Sequence, residues 1–162
     1  MLRAATILCL CLAASPALAE CADSAHKAVD WQRCRLDEQE LAGADLRNAR
    51  LRDATFIRAD LAGADFTGAD GYSARFINAN LVKAKFDKAR LINADFTSAD
   101  LTGASFREAD LRSAHLSRAT LRGADFTGAQ IAGVALAQAD LTGATWTDGK
   151  KHCGEDSIGS CR

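Results

Sequence analysis

The sequence predicts an all-β solenoid, a chain wound as a four-sided coil of about twenty residues per turn. Two observations carry that reading. A bulky apolar residue returns every fifth position at Leu91, Phe96, Leu101, Phe106 and Leu111, with a small residue two places before each from Phe96 on, at Ala94, Ala99, Ala104 and Ala109. Reading every twentieth residue then sorts the bulky ones by type. One column is Leu41, Leu61, Leu81, Leu101, Leu121, Leu141, and the next is Leu46, Phe66, Phe86, Phe106, Phe126, Trp146. The third is Trp31, Leu51, Gly71, Leu91, Leu111, Ile131, and the fourth is Leu36, Phe56, Phe76, Phe96, Leu116, Leu136. An α-helix rotates residues five apart by about 140°, so these side chains would form no stripe. A strand puts them on opposite faces. In a four-sided coil each unit is one side, its bulky and small residues point inward, and coils stack at about 4.8 Å.

The units A-D-L-x-x and A-D-F-x-x resemble the pentapeptide-repeat family, over Val29 to about Asp148. The resemblance implies a right-handed quadrilateral β-helix. It implies little about activity, because the family includes DNA-mimicking proteins that protect gyrase and many members with no known activity. It also implies that dimerisation through the C-terminal end is common.

The N-terminus reads as an export signal over residues 1–19. Arg3 supplies the positive end, Ala4–Ala14 the apolar run, Ser15-Pro16 the break, and Ala17-Leu18-Ala19 the small-x-small cleavage site. The run is too short to cross a membrane. Cleavage after Ala19 removes Arg3, Cys9 and Cys11, leaving 19 basic residues against 21 acidic ones. No further hydrophobic segment follows, so no membrane insertion is expected of the mature chain, and its location is the periplasm or the medium.

Four cysteines remain, and an even count in an exported chain reads as two disulfides. The coil, residues 29–148, makes about six turns and a rod about 29 Å long at about 4.8 Å per turn. Bonded cysteines need Cα atoms within about 7 Å. The expected pairs are therefore Cys21–Cys34 and Cys153–Cys161. Residues 20–28 form the N-terminal cap. Cys34 takes the inward position that alanine usually fills, and Trp31 closes the same end.

From Leu41 to Trp146 the register does not slip, which leaves no room for an inserted catalytic loop. Gly71 is the one missing core residue. It leaves a hole or lets the backbone move inward, and Tyr72 is placed to turn into the space. Outside, Asp30, Arg50, Asp70, Arg90, Asp110 and Gln130 form a column of alternating charge that reads as an ion-pair ladder. Glu40, Asp60, Asn80, Asp100, Thr120 and Asp140 form a mostly acidic column. It either faces a basic partner or holds the residues this position favours in any such coil. Ile57, Tyr72, Ile77, Val82 and Ile92 are apolar where most equivalent positions are polar or small, which makes them the candidate interaction surface.

Residues 149–162 break the repeat and read as a disulfide-bonded C-terminal cap that blocks end-to-end pairing and favours a monomer. No catalytic residue, metal site or cofactor is expected. His26, His115 and His152 are far apart in sequence. His152 with Cys153 and Cys161 suits zinc only in a reducing compartment. Scattered Lys and Arg form no basic stripe for nucleic acid. The expectation is an exported, non-catalytic scaffold that contacts an unknown protein partner. The alternative is a DNA-mimicking inhibitor or protector of a DNA-binding enzyme such as gyrase, which the near-neutral charge and the export signal oppose.

Overall fold

The computed structural model describes Cys21 and residues 23–162. The expected signal peptide, with Cys9 and Cys11, lies outside the described residues.

The unit Leu91-Ile92-Asn93-Ala94-Asp95 shows how five residues make one repeat. The Ala94 N–H donates back to the Leu91 carbonyl at 3.0 Å, and Asn93 has φ +59°. A return bond over three residues with positive φ at the third position is a type II turn. Asp95 then supplies a single residue of extended pairing. Its N–H donates to the Ala74 carbonyl at 2.9 Å, and its carbonyl accepts from the Phe76 N–H at 2.7 Å. His115, twenty residues on, repeats this toward Ala94 and Phe96. Parallel bridges of this kind join residues twenty apart at every fifth position, from Asp30↔Arg50 to Asp125↔Thr145.

Positive φ recurs two places after each core residue, as at Asn48, Asp53, Arg58, Gly63 and Gly68. Left-handed backbone costs an L-residue about 1–2 kcal/mol, which explains the glycines and asparagines in this column.

The bulky and small inward residues fill the core. Phe56, Phe66, Phe76, Phe86, Phe96 and Phe106 are all fully buried. Within a column the rings stack nearly parallel, with centroids 5.0 Å apart for Phe56–Phe76 and 4.6 Å for Phe66–Phe86. Between columns they meet edge to face, at 5.5 Å for Phe86–Phe96. The two phenylalanine columns therefore face each other across the interior. Ala94 is 0 % exposed among them. Ala94→Leu is expected to lower stability by about 1–3 kcal/mol through overpacking, read as a lower thermal midpoint. An unchanged midpoint would place Ala94 outside the core.

The space beside Gly71 is taken up by a neighbour. Gly71 is buried, and a Cβ there would meet Leu91 Cδ2 at 3.0 Å. Leu91 of the following turn leans into the space, and Tyr72 stays outside.

Both predicted disulfides form, with Cα atoms 5.5 Å apart in Cys21–Cys34 and 4.8 Å apart in Cys153–Cys161. Trp31 is buried at the first end, and its indole N–H donates to the Asp23 carbonyl at 3.2 Å. Among the described residues, some inward positions near the ends are less buried than the pattern predicts. Gln39 occupies an inward slot yet is exposed, and Leu41 and Ala44 are only partly buried. At the other end the tail reverses direction. It forms antiparallel bridges Thr145↔His152 and Asp140↔Ile158. The amides of Leu141, Gly143 and Trp146 donate to Ser157, Cys153 and Lys151. This covers the units from Ala139 to Trp146 and leaves Ile131, Val134 and Leu136 half-buried.

Candidate interaction surface

The residue just after each core position sits on the outside of the coil with its base packed against the turn. Ile57, Tyr72, Ile77, Val82 and Ile92 all occupy this position, and all are half-buried. The structure brings four of them together as two pairs. Ile77 follows Ile57 in one column, and the Arg58 N–H donates to the Ile77 carbonyl at 3.0 Å. Ile92 follows Tyr72 in the adjoining column, and the Ser73 N–H donates to the Ile92 carbonyl at 3.0 Å. Val82 lies one unit further round, with Ala62 and Thr102 as its column neighbours, so it extends the patch only weakly.

Tyr72 is held more firmly than sequence reasoning anticipated. The Arg52 guanidinium lies 5.0 Å from its ring centroid and that of Arg90 lies 5.5 Å away. Asn93 Nδ2 donates to the Tyr72 hydroxyl at 3.2 Å. Asp70 contacts both cations, Arg90 at 3.6 Å and Arg52 at 3.9 Å. Arg52 stands one full turn before Tyr72 in the same column, so the twenty-residue spacing held the signal. Tyrosine and arginine are the side chains most enriched at protein interfaces, and here both are already ordered.

The charged columns differ from their expected roles. The alternating column forms two of its expected ion pairs, Arg50–Asp30 at 2.9 Å and Arg90–Asp70 at 3.6 Å. Asp110 instead pairs with Arg112, two places along the chain, at 2.7 Å, and that contact holds its carboxyl below the ordinary range. Exposed pairs of this kind add little stability. In the acidic column, Asp60, Asp100 and Asp140 each accept the N–H of the residue two places on, at 3.1, 3.0 and 3.0 Å. The Thr142 hydroxyl and N–H hold the Asp140 carboxyl low. These aspartates brace the turns, which accounts for their recurrence without a partner.

Among the described residues, no three His, Cys, Asp or Glu side chains are placed to share a metal ion. His26, His115 and His152 are exposed and separate. Among the same residues no helix is long and apolar enough to cross a membrane.

Two family models, both describing pentapeptide repeats, match residues 34–70 and 72–146. The chain belongs to the pentapeptide-repeat family. Members of this family form right-handed β-helices, and the parallel pairing over twenty residues is the β-helix of this chain. The pentapeptide-repeat protein HetL of Nostoc sp. strain PCC 7120, involved in heterocyst differentiation regulation, is 34% identical. The match covers 75% of this chain and 67% of HetL, with a TM-score of 0.51. The pentapeptide-repeat protein Rfr23 of Cyanothece 51142 is 24% identical over 75% of this chain and 88% of its own, with a TM-score of 0.55. QnrB1, a plasmid-mediated fluoroquinolone resistance protein, is 19% identical over 73% of this chain and 67% of its own, at a TM-score of 0.33. No curated protein matches the chain.

Proposed function

We propose that this pentapeptide-repeat protein is an exported, non-catalytic interaction rod of the periplasm or extracellular space, a four-sided coil of about six turns. The observation that carries the reading is the outer patch of Ile57, Ile77, Tyr72 and Ile92 on an unbroken repeat. A rigid coil holds these side chains at fixed spacing, so binding orders little further and loses little entropy. Tyr72, gripped by Arg52 and Arg90, is the anchor of the contact. HetL is described by its involvement in regulation rather than by a reaction, which supports a role through contact.

The test is a photo-crosslinking residue at Ile77 in intact cells, with a control probe at Thr127 on another part of the rod. A discrete protein adduct from Ile77 and none from Thr127 is the expected result. Equal labelling from both probes, or none from either, removes the patch as the site.

A further inference from the structure

We infer that the Cys153–Cys161 disulfide is a redox-controlled gate on a β-strand edge at the C-terminal end of the coil. Three observations converge there. First, the tail is the only described segment that runs against the direction of the coils, and its backbone pairs with residues 139–146 of the last turn. Most of it is exposed; Cys153 and Ser157 are its two buried side chains. Second, the bond closes the tail on itself. Inside the loop between the cysteines, Ser157 supplies the carbonyl that receives the Leu141 N–H, and Cys153 both accepts from Gly143 and donates to Ala144. The covalent loop therefore holds together the groups that cover Leu141 and Gly143, and Lys151, which covers Trp146, lies two residues before it. Third, the two cysteines are not equally exposed: Cys153 is 3 % exposed, whereas Cys161 is half-buried.

The chemistry is exchange with a dithiol reductant. Its thiolate attacks Cys161 Sγ, the S–S bond breaks, and Cys153 leaves as a thiolate that takes up a proton. The second reductant thiol then displaces Cys161, giving two protein thiols and one oxidised reductant. Once the loop opens, an unconstrained tail of fourteen residues, numbers 149–162, has far more conformations to lose by docking. The edge it leaves carries the free amides of Leu141, Gly143 and Trp146, beside the already half-buried Ile131, Val134 and Leu136. Such an edge accepts an added strand. In the oxidised protein half of the end is closed; in the reduced protein all of it is open.

The experiment is amide hydrogen exchange on the full chain, oxidised and then reduced by dithiothreitol. It is repeated without reductant on Cys153→Ala/Cys161→Ala, which leaves the other disulfide intact. Both the reduced protein and the variant should exchange Leu141, Gly143 and Trp146 on the order of a hundredfold faster than the oxidised protein. In the variant, Leu101 and Phe106 should be unchanged. Undiminished protection at the three amides of the variant would overturn the gate and leave the disulfide as a passive staple. Loss of protection along the whole coil of the variant would overturn it equally, by making the bond a global brace.

Discussion

Replacing Phe96 by alanine is expected to lower stability by about 3–5 kcal/mol. Phe96 is fully buried and is the last aromatic of its column. Its ring stacks on Phe76 at 4.9 Å and meets Phe86 and Phe106 edge to face at 5.5 and 6.0 Å. Alanine loses all three contacts and leaves a cavity that the hydrogen-bonded backbone on either side resists collapsing. A loss in this range lowers the thermal midpoint by about 10 °C for a chain of this size. Leucine is the informative control. Leu116 stands at the next position of the same column, so the coil tolerates that shape, and Phe96→Leu should cost only about 1–2 kcal/mol. A midpoint for Phe96→Ala equal to that of the unmodified protein would show that this column is not core.

The second large effect is at the opposite end from the gated tail. The double replacement Cys21→Ala/Cys34→Ala is expected to cost about 3 kcal/mol, the loop-closure value for a crosslink of this span. Alanine is the repeat's own residue at the slot Cys34 fills, so the change removes the bond without crowding the core. The consequence should be local first. Without the crosslink the segment at Asp23 has little to hold it over Trp31, and the first turn frays. The amides of Trp31 and Leu36, which donate to Arg50 and Thr55 at 2.8 and 2.7 Å, report this directly. Exchange at those two amides matching the unmodified protein would assign closure of this end to packing alone.

The interior of this fold was legible because each unit repeats the surroundings of the last. A residue's position in the period was enough to place Leu101, Ala104 and Phe106 inside and Thr102 outside. The same logic fails where the repetition stops. Leu41 and Leu61 share a column, yet among the described residues only Leu61 is fully buried, with a complete turn of the repeat on either side of it. Gln39, in an inward slot of the first described turns, is exposed among the described residues. Gly71 looked like a defect because the pattern shows which side chain is missing, not which neighbour moves in. The ladder at Asp110 was overcalled because one column was read in isolation, while Arg112, two places along the chain, competes for the carboxylate. Of the surface patch, the apolar members were visible as departures from the repeat. The clasp on Tyr72 was legible only in part: Arg52 shares its column, whereas Arg90 and Asn93 reach it from the two neighbouring columns.

The parallel bridges give this chain a property that ordinary globular cores lack, a phase. Because each bridge joins a residue to its counterpart twenty places on, removing or adding one such block returns every later residue to its own column. A change of five residues preserves the turns and the buried positions but hands every later side chain to the next column. Inward positions would stay inward, but phenylalanine stacks spanning the change would be broken, and Tyr72 and Ile92, or Ile57 and Ile77, would cease to line up. A length change in this chain therefore has two separate counts to satisfy, five for keeping the turns and twenty for keeping any one column in register.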